Sequence, residues 1–461
     1  PAAALHDPED GIFKLWYCQS LVGDPYGDRG MVMCYAESRD CLHWEKPLSQ
    51  RCIPYQEHME TNIVLEDSGQ HIVLARNHDQ SDPDRKYLLA YNPGDRARRE
   101  GKGPLSSFAV SGDGLRWDIV NQETPYRHHH FQRPIWDTAI QKWIAYSPYS
   151  HHWNFLHHKR QIGRQESEDF INWSPKEIVL SNDWDPNLPP HIEFHDMSVR
   201  KVGGLYIGIM TEFAAEPLWC VQDNNNWQDT AYAGLGLYAS RDGKRWQRVG
   251  GAEPWVHHGA PGTYDYGFVN GTVAGQLIHD GKTYIVYGGR SEKQSWYGRR
   301  HLGNFDTITP EAAFAHGEQA HQGLAETRGD SVGLKRTIST LILREDAWAE
   351  LRPSYERGQV VTSQFVFEGD TLKVNADGYG GYLRVEILDP YFKPYEGFSA
   401  EDCDPVYSDD PNQIWHTVTW GGKADVRSLW NKPVRLVFHL HQASLYAFQF
   451  IESERSDHGE S

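Results

Sequence analysis

SRDCLHW, residues Ser38 to Trp44, returns as SGDGLRW at Ser111 to Trp117, SEDFINW at Ser167 to Trp173 and SRDGKRW at Ser240 to Trp246. The four tryptophans stand 73, 56 and 73 residues apart. A fixed motif at long intervals marks a repeated supersecondary unit. This interval is too long for a pair of helices and suits a four-stranded sheet with generous loops. The Ser-x-Asp-x-x-x-Trp pattern reads as the turn between the last two strands of each sheet. Ser and Asp side chains bond the local backbone, Gly or a small substitute takes the tight corner, and Trp packs beneath it. Coincidental Asp-Gly turns are the plain alternative, and four matches in matching contexts speak against it.

The segments ahead of each box are short, rich in aromatic and branched residues, and bounded by Gly, Asp and Pro. They are FKLWYCQ and MVMCYAES, KYLLAYN and SSFAVS, KWIAYSPY and QIGRQES, and LYIGIMTEF and GLGLYAS. A fifth unit opens at TYDYGFVNGTVAGQLIHDGKTYIVYGG and closes at VGLKR, with LREDAWAEL where a worn box belongs. Four clear units and one worn unit predict an all-β chain whose residues 1–351 form a five-bladed β-propeller. From Arg352 the box disappears, and SQFVFEGDTLKVNADGYGGYLRVEILDP, QIWHTVTW and PVRLVFHLHQASLYAFQF alternate strands with polar turns. This predicts an antiparallel β-sandwich over 352–451, a packing partner rather than a second active site, and a charged tail over 452–461.

Composition bounds the function. The 461 residues carry a formal charge of −18, so a nucleic-acid backbone or an anionic membrane is an improbable partner. Aromatic residues make up 13%, which suits stacked sheets and sugar binding alike. No apolar run reaches the length of a membrane span. The chain begins at Pro1 without Met, so a removed signal peptide or a missing upstream strand that closes the ring is expected, and with it a secreted or periplasmic protein. Cys18, Cys34, Cys41, Cys52, Cys220 and Cys403 show no zinc spacing. Cys18 with Cys34, on neighbouring predicted strands, and Cys41 with Cys52 leave one or two disulfides open beside buried free thiols.

The boxes followed by a sandwich resemble the five-bladed propeller glycosidases of glycoside hydrolase families 32, 43, 68 and 117. YAESRDCLHWEKP, GRQESEDFINWS, YASRDGKRW and GGYLRVEILDPYFKPYEGFSAEDCDPV are similar to bacterial family-32-like glycosyl hydrolases, over nearly the whole chain. The resemblance implies a carbohydrate-active enzyme without cofactor. Family 32 enzymes place a nucleophile in Asn-Asp-Pro-Asn-Gly, a stabiliser in Arg-Asp-Pro and an acid/base in Glu-Cys. Here only HDP at His6 and SDP at Ser81 stand in for the first two, and no Glu-Cys pair occurs. Asp7 and Asp82 read as turn formers.

Chemistry is therefore sought where each innermost strand begins and where the loops between second and third strands return. Blade two enters near METNIVL, blade three through RHHHFQRPIWD, blade four through HIEFHDMSV and blade five through TYDYGFVN. Glycoside hydrolysis needs two carboxyl groups, one protonated and one ionised, on either side of the scissile bond. Entry carboxylates of neighbouring blades meet that need, whereas sequence neighbours on one strand point to opposite faces. The pair favoured is Glu193 and Asp265, each among aromatic and His residues, a setting that separates two carboxyl pKa values. Asp196, Glu60, Glu212 and Glu292 stand in reserve, with solvated or structurally paired acids as the alternative for each.

Arg133, Arg290, Arg299 and Arg300, with nearby histidines such as His130, would make a positive mouth suited to an acidic or sulfated sugar. Trp153, Trp219, Trp227 and Trp296 offer stacking platforms on predicted loops. A metal held by the histidines of blades three and four lacks distinctive ligand spacing, and none is expected. Three readings follow. The chain is an exo-acting glycosidase, or a polysaccharide lyase in which His195 and Tyr work with Arg neutralisation of a uronate, or a non-catalytic carbohydrate-binding propeller.

Overall fold

The computed structural model describes residues 2–20, 31–66, 68, 72–91, 106–124, 134–149, 160–189, 192–214, 232–291, 336–378, 380–408, 410 and 412–453. Its contacts divide the chain into two compact units, Pro1–Leu277 with Tyr284–Leu341, and Ile278–Thr283 with Ile342–Ser461. Among the described residues all regular structure is β, broken only by single 3-10 turns, and no helix is long and apolar enough to cross a membrane.

The first unit is a series of antiparallel meanders. Sheet one runs β1 (Ala2–Asp7), β2 (Ile12–Ser20), β3 (Met31–Ser38), β4 (Ile63–Leu65), and sheet two β5 (Ile72–Arg76), β6 (Tyr87–Tyr91), β7 (Ser106–Ser111), β8 (Asp118–Thr124). Sheet three runs β9 (Ile135–Asp137), β10 (Lys142–Tyr149), β11 (Gln161–Ser167), β12 (Glu177–Leu180), and sheet four β13 (Ile192–Val202), β14 (Leu205–Ala214), β15 (Tyr232–Ser240), β16 (Gln247–Arg248). Sheet five, β17 (Phe268–His279), β18 (Lys282–Arg290) and β19 (Arg336–Arg344), joins sheet four through one parallel pair, Ala233 with Phe268. The predicted second and third strands of the first four units coincide with these elements. METNIVL is a correction: Ile63 pairs with Cys34 of β3, so this run is the outer strand of sheet one, and sheet two begins at Ile72. Two short apolar runs lie there in succession, and residue type alone cannot tell which closes one sheet and which opens the next.

Each meander has two apolar faces and buries both on its neighbours. Trp16 and Met33 of sheet one meet Leu74 and Leu89 of sheet two, and Val73 and Phe108 meet Trp143 and Phe170 at sheet three. Ile144 and Ile162 meet Phe194 and Met197 of sheet four. Phe213 meets Phe268 of sheet five, and Leu277 and Val286 of that sheet return to Phe13 and Leu15 of sheet one. The circuit of seams is closed, which is a propeller-like arrangement. First strands pack directly on one another, β1 on β5 and β9 on β13.

The four boxes occupy the corner after the third strand, as read from the sequence. In each, the Asp carboxylate accepts from two backbone N–H groups ahead of it, for instance Leu42 and His43 at Asp40, and Lys244 and Arg245 at Asp242. The corner residue is left-handed in all four: Cys41 (φ 61°), Gly114 (78°), Phe170 (68°) and Gly243 (69°). The expectation of a small residue fails at Phe170, whose ring is drawn into the seam between sheets two and three and whose corner is fixed by Asp169. Three corner carbonyls are caught by the preceding sheet: Thr340 Oγ1 donates to Cys41 O, Trp16 Nε1 to Gly114 O and Tyr146 OH to Gly243 O.

The Asp-Pro motifs also have local work. Asp82 caps a 3-10 turn by accepting from Asp84 N. Asp7, at the end of β1, is buried and bonded by Lys14 (2.9 Å), Lys86 (2.8 Å) and Tyr87 (2.6 Å). Sheets three and four repeat the device, Asp137 receiving Lys201 and Tyr206. Among the described residues the cysteines are free thiols, which closes the disulfide option for Cys41 with Cys52 and for Cys18 with Cys34: Cys18 stands opposite Met33 and Cys34 opposite Tyr17, so these last two lie on opposite faces. Burial pushes the Cys34 and Cys41 thiols up to about 12, leaving them neutral.

Among the described residues the second unit holds two three-stranded sheets, β20 (Arg357–Val361), β24 (Arg435–His441), β22 (Tyr382–Leu388), and β23 (Trp415–Thr417), β21 (Thr371–Asp377), β25 (Ser444–Ile451). Leu372 and Val374 of one meet Val385 and Phe438 of the other in a sandwich-like core.

Two outcomes are expected. A Cβ at Gly114 would lie 2.5 Å from the Trp16 ring at positive φ, so Gly114→Ala should cost about 2 kcal/mol or more in urea unfolding; an unchanged midpoint would contradict the corner's role. Burial would raise the Asp7 carboxyl, but Lys86, Tyr87 and Lys14 outweigh it and hold it well below the usual range. A depressed folded pKa stabilises fully above the unfolded value of about 4 and loses that as pH falls through the folded value. Asp7→Asn should therefore lower stability by about 3 kcal/mol at pH 7, with the difference from wild type shrinking as the pH drops below 4; a pH-independent difference would count against the ion-pair account.

Candidate functional site

In an antiparallel meander the start of the first strand and the connection from second to third strand share one end of the sheet. At that end of sheet four, β13 begins with Ile192 paired to Ala214, the last residue of β14. Glu193 follows, 2% exposed, and then Phe194, which is locked in the seam with sheet three. Between Phe194 and Asp196 the register with β14 shifts, so His195 is an extra residue in a β-bulge. The shift corrects the expectation that sequence neighbours here point apart. His195 Nδ1 and Asp196 Oδ2 are 2.7 Å apart, both groups buried. The His195 ring stands edge-on to Phe213 at 4.7 Å and to Phe268 at 6.4 Å. Arg290 of β18 lies over the Phe268 ring at 4.5 Å.

Arg160, just before β11, brings a cation from sheet three. Burial lowers the pKa of its guanidinium, and the charges of Glu193 and Asp196 oppose that shift, so the three groups share one electrostatic neighbourhood. Glu212 of β14 is occupied by protein: Arg248 Nε and Nη2 donate to its two oxygens at 3.2 and 2.8 Å, and Tyr238 OH at 2.6 Å. Gly236 leaves the room for this carboxylate, since a Cβ there would fall 2.1 Å from Glu212 Oε1. Arg248 also donates to the carbonyls of Gly251 and Glu253, so the pair is a buried strut between β14, β16 and the segment after it.

Asp265 lies on the segment leading into β17, half-buried, with Thr263 Oγ1 donating to Oδ1 at 2.8 Å and Tyr287 OH 3.5 Å from Oδ2. The absent Cβ of Gly259 makes room for Oδ1. Burial, then the neighbouring Tyr264 and Asp265, raise the Tyr287 phenol, which stays protonated as a donor. Close to the start of β15, Tyr232 stacks on His258 at 4.7 Å and meets Tyr266 hydroxyl to hydroxyl at 2.9 Å.

Of the residues singled out in the sequence, Glu193, His195, Asp196 and Glu212 come together on β13 and β14, while Asp265 is on the entry to the next first strand. Glu60 is exposed beside the outer strand of sheet one and accepts from Gln50 Nε2. His130, Arg133, Trp153, Trp219, Trp227, Glu292, Trp296, Arg299 and Arg300 lie outside the described residues. Arg160, Tyr287 and the Tyr232–His258 stack were not foreseen. Arg160 ends the polar stretch SPYSHHWNFLHHKR, a usable signal, whereas Tyr287 stands in an ordinary strand run and gives none.

No family model matches the chain, and no curated protein matches it in sequence. Among solved structures it is similar to an N-acetylgalactosamine deacetylase from F. plautii in complex with blood group B trisaccharide, at 15% identity over 75% of this chain and 88% of that one, TM-score 0.47. It is also similar to a Bombyx mori GH32 beta-fructofuranosidase (13% identity, 96% and 89% covered, TM-score 0.38) and to an endo-arabinase from Bacteroides thetaiotaomicron (11%, 64% and 89%, TM-score 0.39).

If Glu212 and Arg248 form a strut, Arg248→Met should cost about 3–5 kcal/mol in urea unfolding, because a carboxylate stays buried unpaired. The double variant Glu212→Leu with Arg248→Met should recover most of that loss. Equal loss in the single and double variants would refute the assignment.

Proposed function

We propose that the first unit is a five-bladed β-propeller glycoside hydrolase, secreted or periplasmic, exo-acting on an acidic or sulfated oligosaccharide or polysaccharide, with residues 352–451 as a non-catalytic sandwich. The observation that carries this reading is the buried carboxylate of Glu193 at the start of an inner strand, in one electrostatic neighbourhood with Arg160 and Asp196. Asp265 supplies a second carboxylate from the entry to the next inner strand. In this reading Glu193, buried at the start of β13, is the proton donor, and desolvation favours its acid form. Asp265, held by the donors Thr263 and Tyr287, serves as base or nucleophile. Arg160 and Arg290 receive the sugar's anionic group, and the Tyr232–His258 stack offers a surface for a ring. Glu212 holds the sheet that presents Glu193 rather than touching substrate.

A second reading rests on one specific observation, the hydrogen bond between His195 and Asp196. An imidazole oriented by a carboxylate is a competent base, and with arginine neutralising a uronate it would serve β-elimination: the base takes the proton beside the carboxylate, the glycosidic oxygen leaves with its electron pair, and an unsaturated sugar remains.

Products from a panel of algal and plant polysaccharides decide between them. Reducing ends without ultraviolet absorbance are expected, together with a loss on the order of hundredfold or more in turnover for Glu193→Gln and Asp265→Asn and unchanged melting temperatures. Losses within twofold in both variants would acquit the pair. Ultraviolet-absorbing products abolished by His195→Ala would establish the lyase. Equal turnover of neutral and anionic substrates, with KM unmoved in Arg290→Ala, would remove the acidic-sugar assignment.

A further inference from the structure

The second unit carries a polar hollow on the outer face of β20–β24–β22. Strand alternation sends Leu383, Val385, Phe438 and Leu440 into the sandwich core, and the residues between them face outward. Register sets these in two cross-strand rows, Arg357–His441–Tyr382 and Gln359–His439–Arg384. With Ala400 and Glu401 as a wall they enclose about 570 Å³, within the usual range of small-molecule sites.

The lining is ordered by its own contacts. Tyr382 stacks on His441 at 4.9 Å, and Arg384 lies 5.9 Å from the Tyr382 ring centre while Nη1 donates to Ala400 O at 3.0 Å. His439 is bonded to Gln359 (3.0 Å) and Glu386 (3.2 Å), and His441 Nε2 to Glu356 (2.8 Å). Two buried atoms beside the hollow, Arg384 Nε and His441 Nδ1, have no hydrogen-bond partner among the described residues. A buried polar group left unsatisfied is costly. With Nε2 turned to Glu356, His441 has Nδ1 left to offer, and Arg384 presents a donor.

The hollow is not a cationic trap: Arg357 and Arg384 are matched by Glu401, Glu386 and Glu356. Planar donors and acceptors in rows, beside a tyrosine ring, answer the paired hydroxyls and the C–H face of a sugar better than a phosphate or sulfate. We infer that this face of the sandwich is a binding site for a neutral saccharide unit. The site does not rest on the propeller reading.

The test uses the full chain on an array of neutral and of uronate- or sulfate-bearing oligosaccharides, followed by calorimetric titration with the neutral oligosaccharide that gives the strongest signal. Arg357→Ala and Glu401→Ala change exposed side chains and are expected to keep the melting temperature and any turnover, yet to weaken that binding tenfold or more. Glu193→Gln is expected to leave it intact. Capture of neutral glycans by a chain that never releases product would fail the hydrolase reading and support this one. Binding unchanged in both sandwich variants, preference for the anionic glycans in a signal those variants abolish, or no glycan bound at millimolar concentration would each overturn it.

Discussion

An antiparallel meander of this composition has two apolar faces, and water tolerates neither. Burying both at once requires each sheet to find two neighbours, and five seams here close a circuit through Trp16, Phe108, Phe194, Phe268 and Phe13. Every other feature of the first unit answers to this constraint. The box corners are strained at Cys41 and Phe170, a cost of about 1–2 kcal/mol each, and are over-determined by Ser and Asp hydrogen bonds. A neighbour's side chain then bonds the corner carbonyl of Cys41, Gly114 and Gly243, so the strained turn doubles as a grip between sheets.

The seams also explain where the buried polar cluster lies. Phe194 and Met197 both belong to the seam between sheets three and four, three positions apart, which an unbroken strand of period two cannot arrange. The bulge at His195 restores the phase, and the extra residue it creates is the imidazole that meets Asp196. Packing therefore dictates where a buried polar constellation appears, and Arg160 from the adjoining sheet offsets its negative charge. Asp7 and Asp137 show the same logic at the ends of the first strands, where lysine and tyrosine of the following sheet satisfy a buried carboxylate.

The sequence made the repeat legible because its signal is local. Ser38, Asp40 and the corner residue interact within four positions, and their spacing survives in all four boxes. The first strands were harder to read. They are short or buried on both faces, so METNIVL and the run at Ile72 look alike, and only pairing assigns Ile63 to sheet one. Glu193, His195 and Asp196 stood out as polar residues in an apolar strand. Their relation did not, since a bulge is a property of two strands and leaves no mark in one. Arg160 and Tyr287 were missed because their roles come from residues distant in the chain.

In the proposed function, saccharide is processed at the start of β13. The most direct measurement is a crystal structure of the Glu193→Gln variant soaked with an oligosaccharide that the wild type turns over. The account predicts a sugar ring at the end of sheet four, with a glycosidic oxygen in hydrogen-bond reach of residue 193 and an anionic group near Arg160 or Arg290. A first unit that binds its sugar only at the box end of the sheets, with residue 193 out of reach, would contradict it.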